Sequence, residues 1–194
     1  MPTANVDGLA AVRRIAVVGA SGAGKSRLAT RLADAAGLPL IHLDRLAWRS
    51  GWVETDRAEV LREHRRVLTE PAWVIDGNYT NVDKADRMAH ADLVLVLEPS
   101  RLTAMARVLG RWLRHYGEAR PDMAPGCEER LDLGFLWFVW RWHDRHPDYG
   151  REIAREAGST AVIVLRSARD VEHFAARFAR SHARAAQAAT SRRP

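Results

Sequence analysis

Hydrophobic and polar positions alternate along this chain in two rhythms. Arg13 to Gly19 (RRIAVVG) is a short β-branched, apolar run closed by glycine, which predicts a buried strand. From Ser26 to Ala36, Leu28, Leu32 and Ala35 share one face while Arg27, Arg31 and Asp34 lie largely elsewhere, the pattern of an amphipathic helix stopped at Gly37. Pro39 to Leu43 reads as a second strand. Thr55 to Thr69 places Val60, Leu61, Val67 and Leu68 at helical spacing, with Pro71 just beyond its end. Ala72 to Ile75 and Leu93 to Leu97 read as the third and fourth strands, Leu102 to Leu113 as a helix, and Ala161 to Leu165 as a fifth strand followed by a helix from Val171 onward. Strands alternating with helices predict an α/β fold whose parallel sheet is covered on both faces.

A longer stretch, Ser100 to Thr160, separates strands four and five and reads as an insertion. It carries Trp112, Trp137, Trp140 and Trp142 and the turn-rich segment PDMAPG at 121–126. Leu131 to Trp142 is apolar nearly all round, which predicts a helix packed tightly against its neighbours or, alternatively, a hydrophobic partner surface. At 194 residues the chain has room for one domain, placed at residues 12–180. Residues 1–11 are expected to be flexible and lack the basic start and apolar stretch of a secretory signal, so a cytoplasmic location is expected. No apolar run is long enough to cross a bilayer. The lone Cys127 excludes an internal disulfide and a multi-cysteine zinc site.

Charge changes the picture only by its location. Of the net +6, five units come from Arg177, Arg180, Arg184, Arg192 and Arg193 near the C-terminus, where the Ala/Arg segment 181–194 is expected to be a fraying helix end or disordered. Nucleic acid is therefore not expected as the main ligand, although the basic tail would allow contact with it. Only Lys25 and Lys84 are lysines, so an individual arginine carries little functional weight here.

Residues 19–26, GASGAGKS, fit G-x-x-x-x-G-K-[ST] in full and lie between a predicted strand and a predicted helix. Backbone N–H groups wrap a phosphate only where side chains are absent, and a helix N-terminus adds a favourable dipole. Gly19, Ala20, Ser21, Gly22, Ala23, Gly24, Lys25, Ser26 and Arg27 are accordingly the expected nucleotide-binding set. Lys25 would reach the β- and γ-phosphates and stabilise charge developing during transfer, and the Ser26 hydroxyl would ligate Mg²⁺.

Ligands of a doubly wound sheet gather at the carboxyl ends of its strands. Asp44 follows strand two and Asp76 follows strand three, beside the phosphate loop, whereas His42 reads as a strand residue with a satisfied hydrogen bond. Asp83, Asp86 and Asp92 read as solvated acids. Arg107, Arg111 and Arg114 project from one helix face, and Arg101 to Arg120 holds five arginines against Glu118 alone, which suits phosphate clamping. Arg141 and Arg145, four apart, are secondary candidates.

With GASGAGKS, IHLDRLAWRSGW (41–52), WVIDGNY (73–79), RPDMAPGCEERLD (120–132) and VIVLRS (162–167) assembled, the chain resembles the adenylate-kinase-like P-loop proteins and, more closely, the bacterial topology modulation (FlaR-like) family, from about Arg13 to Phe178. The resemblance implies a three-layer α/β/α P-loop NTPase fold with a five-stranded parallel sheet in the order 2-3-1-4-5 and a helical lid over about residues 112–145. It implies Asp76 as the Mg²⁺-associated carboxylate, Arg107 against the base, Arg111 on the phosphates, and the loop from Ser167 beside the base. Nucleoside monophosphate kinases follow their DG motif with an arginine that grips the acceptor phosphate, whereas here Asn78 and Tyr79 stand there. Asp44 resembles the carboxylate with which P-loop kinases of hydroxylated small molecules bind the acceptor hydroxyl. The implied activity is transfer of the γ-phosphoryl of Mg-ATP to a nucleotide, nucleoside or small hydroxylated acceptor, with Lys25, Asp44 and Arg111 as catalytic residues. Asp44, Asn78, Arg141 and Arg145 are the candidate acceptor contacts. The alternative is a nucleotide-binding regulator acting on DNA or a protein partner with little or no phosphoryl transfer.

Overall fold

The computed structural model describes residues 6–78, 83–118, 122–129 and 131–191. The central strand β1 (Arg14–Gly19) is buried from Ile15 to Gly19, as its β-branched run requires. It is flanked by β5 (Trp73–Asp76) and β6 (Leu93–Leu97), and β2 (Leu40–His42) and β7 (Ala161–Leu165) close the edges, giving the all-parallel order β2-β5-β1-β6-β7. Leaving aside the separate two-stranded hairpin β3 (Trp48–Arg49) and β4 (Val53–Glu54), this is the expected order 2-3-1-4-5. The register sets Val17 beside Asp76 and Gly19 beside Leu97, so the carboxyl ends of β1, β5 and β6 meet at the phosphate loop.

The chain leaves β1 toward one edge and later leaves β5 toward the other. Right-handed crossovers then put helices on both faces. Helix α1 (Lys25–Ala36) packs with α8 (Ala168–Thr190) on one side, and α4 (Lys84–His90) packs with α7 (Tyr149–Ala157) on the other. One hydrophobic core runs through the sheet and both layers, with Ile15, Val17, Val74, Leu95, Leu32, Phe178 and Tyr149 among its fully buried side chains.

Several expectations need correction. Strand two stops at His42, and Leu43 opens a short helix α2 (Leu43–Ala47), so Asp44 stands in a helical first turn rather than at a strand end. The hairpin, α4 and α7 were not foreseen. The third helix, α3 (Arg57–Leu68), begins later than Thr55 because the Asp56 carboxylate caps it, accepting from the N–H groups of Ala58 and Glu59. Asp92 is no solvated acid: it accepts from the backbone N–H groups of Arg13 and Arg14 and ties the start of β1 to that of β6.

The termini also differ. Val6–Ala11 forms a 3-10 turn against α8 with Leu9 buried, and residues 1–5 lie outside the described residues. Helix α8 continues to Thr190 and buries His182 against Phe178, so the tail is helical past Ser181, and only 192–194 lie outside the description. Tight packing of the Trp-rich helix on all sides is overturned. Helix α6 (Leu133–Arg145) buries Val139 and Trp142 against α5 (Arg101–His115) and the core, while Leu133 is 74% and Trp137 58% exposed. With α5 and the edge of the core on one side only, the apolar circumference is covered there and meets water on the other.

Candidate functional site

The phosphate loop runs from β1 into α1 with Gly19, Gly22 and Gly24 all at positive φ. A Cβ at Gly22 would strike the backbone carbonyl of Ala104, so α5 seats directly on the loop. Helix α1 has Gly24 at its N-cap with no side chain bonding to its first N–H groups, which leaves those donors for an anion. Lys25 Nζ donates to the loop carbonyls of Gly19 (3.0 Å) and Ala20 (3.1 Å). Burial pushes the Lys25 ammonium down in pKa, and the carboxylates of Asp44, Asp76 and Asp122 pull the other way.

Side chains from the neighbouring strands brace this loop. Asn78 follows β5, its Nδ2 donating to the Gly19 carbonyl (2.7 Å) and its Oδ1 accepting from the Gly19 N–H (2.9 Å). The side-chain amide thus acts as one more peptide of the β5–β1 ladder, beyond the Gly77 N–H to Val17 carbonyl bond. Asn78 is therefore spent on the loop and not directed to an acceptor. Tyr79 and Arg120 lie outside the described residues. From α5, Arg107 Nη1 donates to the Ala23 carbonyl (2.8 Å), and Arg111 Nε donates to Glu129 Oε1 (2.8 Å).

Asp76 is 3% exposed at the end of β5, and its Oδ1 is 2.6 Å from His42 Nδ1. Burial disfavours the charged imidazole, but the hydrogen bond and charge of Asp76 outweigh it, so the pKa of His42 is raised. His42 thus has the satisfied hydrogen bond expected of it. Among the described residues Asp76 Oδ2 has no hydrogen bond. The Asp76 carboxylate and the Ser26 hydroxyl are hard oxygen donors of the kind Mg²⁺ prefers. Among the described residues no cluster of three or more His, Cys, Asp or Glu could hold a metal by itself.

The outer part of the loop, with Ser26 and the arginines of α5, opens on a cleft of about 900 Å³, which Gly19, Ala20, Asp76 and Asn78 do not line. Ser21 to Ser26, Arg27, Asp44, Arg107 and Arg111 all line it, as does Arg114. Other expected residues do not. Ser167 caps α8, its hydroxyl accepting from the Asp170 N–H. Arg141 and Arg145 on α6 stand over the rings of Trp137 and Phe138, with Arg141 also paired to Asp144. Sequence reasoning missed the wall facing Lys25: Trp48, Trp52, Asp122 and Met123. Trp48 and Trp52 stand 5.5 Å apart in edge contact. They pack on Met123, Ala124 and Cys127, and the Gly51 N–H, Trp52 Nε1 and Cys127 Sγ donate to the carbonyls of Gly126, Glu128 and Arg49. The hairpin is thus latched to the 122–129 strap. The one signal for this wall was the spacing of Asp44, Trp48 and Trp52, four apart.

Compared with solved structures, the chain is similar to a gluconokinase from Sinorhizobium meliloti 1021 at 19% identity over 94% of this chain and 98% of that one, with a TM-score of 0.51. The two share a fold, a five-stranded parallel sheet with helices on both faces. A shikimate kinase from Acinetobacter baumannii in complex with shikimate aligns at 15% identity over 89% of this chain and 93% of that one, TM-score 0.49. A deoxyadenosine kinase from M. mycoides with bound dCTP aligns at 16% identity over 82% and 95%, TM-score 0.42. No family model matches the sequence, and no curated protein does. Among the described residues no helix is long and apolar enough to cross a membrane.

Proposed function

We propose that this protein is an ATP- and Mg²⁺-dependent phosphotransferase that moves the γ-phosphoryl group to a hydroxyl of a small-molecule acceptor. The observation that carries this reading is the cleft lined together by Ser21 to Ser26 of the phosphate loop, the arginines of α5 and Asp44. The likeness to the topology modulation family belongs to the same reading and rests on the segments quoted above.

The loop N–H groups and the N-terminus of α1 hold the phosphates, and Lys25 leaves its two loop carbonyls to meet them. Arg111, beside the loop on α5, adds a second fixed charge, and Arg107 keeps the loop tip in shape. Ser26 and Asp76 would hold Mg²⁺, which supplies charge neutralisation on the phosphates when bound. An acceptor hydroxyl beside Asp44 forms a bond to Pγ as the bond from Pγ to the bridging oxygen breaks. The hydroxyl proton passes to the Asp44 carboxylate, and ADP departs with the bonding pair.

ADP release from Mg-ATP, measured with pooled hydroxylated metabolites, nucleosides and nucleotides, tests the reading. Stimulation by one pool is expected, and Lys25→Ala is expected to lower it at least about a hundredfold while keeping a cooperative unfolding transition. The exposed apolar side of α5 and α6 favours the second reading, a nucleotide-dependent regulator of a partner protein. Tight ATP binding with no stimulation by any pool would decide for it.

A further inference from the structure

We infer that the outer face of the α5–α6 pair docks on the same face of a second copy of this chain, joining the two as a bundle of four helices. On α5, Leu102, Ala106, Leu109, Leu113 and Tyr116 follow one another at steps of four and three residues, and all five are exposed. On α6, Leu133, Trp137 and Trp140 repeat the same step and are 74%, 58% and 38% exposed. Apolar positions recurring every 3.5 residues form the seam by which one helix packs on another. The chain itself leaves both seams uncovered.

The two seams lie side by side. Arg101 at the start of α5 pairs with Asp144 near the end of α6, while Arg111 further along α5 stands over Phe135 near the start of α6, so the helices run antiparallel. Met105 and Leu136 belong to their mutual contact. Leu102 and Leu109 stand three and four positions from Met105, as Leu133 and Trp140 do from Leu136, so each seam borders that contact on its solvent side. Arg107, Arg111 and Phe135 of the same two helices line the cleft, and no seam residue does. Pairing through the seams therefore leaves the cleft open.

Area and charge both fit a second copy. The exposed parts of the seven large seam side chains amount to on the order of 800 Å², above the roughly 300–600 Å² of the largest apolar patch on a typical monomer and equal to the share each partner contributes to a stable complex. The α5 seam carries no charge from Leu102 to Tyr116. The remaining arginines of that helix are directed elsewhere: Arg107 donates to the Ala23 carbonyl, and Arg111 and Arg114 line the cleft with His115. On α6, Asp144 pairs with both Arg101 and Arg141, whose guanidinium groups lie over the rings of Trp140 and Trp137, and Arg145 lies over Phe138. The face thus asks no counter-charge of its partner and is complementary to itself, as a two-fold interface requires. A second copy seated here accounts for the apolar side of α5 and α6 without a partner of different sequence.

Sedimentation equilibrium of the native protein over about 1–100 µM tests the pairing, since interfaces of this size dissociate in the micromolar range or below. A dimer is expected to grow with concentration and to go no further than two copies. Ala106→Arg sets a cation into the middle of the α5 seam twice per dimer and should raise the dissociation constant at least about a hundredfold, and Leu113→Arg should do the same. Both positions meet water in the single chain, so thermal unfolding of dilute protein should match that of the native chain and separate lost pairing from lost folding. A monomer at every concentration would overturn the inference, as would a dimer that both folded variants keep or a mass that grows beyond two copies. A monomer that floats with phosphatidylglycerol vesicles would overturn it in favour of a lipid surface.

Discussion

At the scale of single residues, the site depends on side chains that substitute for backbone. Asn78 completes the ladder between β5 and β1 with two bonds to Gly19. Asn78→Asp retains an oxygen for the Gly19 N–H but sets a second oxygen against the Gly19 carbonyl. It should cost about 1–3 kcal/mol in urea unfolding and weaken ATP binding in parallel; ATP affinity unchanged in the folded variant would show that the loop needs no such brace. This role was not legible in WVIDGNY, because an amide can act as a peptide only once β5 is known to lie beside β1. The phosphate loop itself was legible, since its glycines, lysine and serine are dictated by the ligand. A second residue governs pH dependence. His64 on α3 is fully buried with neither ring nitrogen hydrogen-bonded, and burial together with the Arg87 guanidinium pushes its pKa from 6.5 to about 4. The unfolded chain takes up this proton near pH 6.5 and the folded chain resists it until about pH 4. Stability therefore declines as pH falls through that window, by up to about 3 kcal/mol. His64→Leu should flatten this part of the pH–stability curve; an identical slope in both proteins would mean that His64 is not its source.

Among the elements, β1, β5, β6 and β7 and the helices α1, α3, α5 and α8 follow from periodicity because each buries one face or much of a run against the core. The pieces that escaped notice are short and held from outside. Strands β3 and β4 have two residues each and no alternation to read, and their shape comes from contacts with the 122–129 strap. Helix α6 misleads in the other direction, since uniform hydrophobicity reads as burial, yet its packing is one-sided. Trp142 meets Phe138, His146 and Tyr149 at ring centroid separations of 5.8, 4.4 and 5.2 Å, whereas Leu133 faces water. Trp142→Ala should cost about 3–5 kcal/mol, and Leu133→Ser should stay within about 0.5 kcal/mol. Equal losses in thermal unfolding would contradict this division of the helix.

For the whole molecule, the parallel sheet fixes where the cleft lies: the carboxyl ends of β1, β5 and β6 meet at the phosphate loop, and Arg107, Asp122, Glu129 and Phe135 of the insertion between β6 and β7 line the cleft with it. The strap within that insertion grips the hairpin on one side and, through Glu129, Arg111 on the other. Cys127, the chain's single cysteine, is buried in that grip with Sγ donating to the Arg49 carbonyl. The molecule therefore carries its own clock. An alkylating reagent can reach the thiol only when hairpin and strap part, so the rate of its modification counts the openings. A Cβ at Gly126 would meet the Ser50 hydroxyl, and Gly126→Ala should make the clock run faster, whereas occupants on both sides of the cleft should slow it. Modification of the native protein as fast as that of the unfolded chain would mean that the grip does not persist in solution.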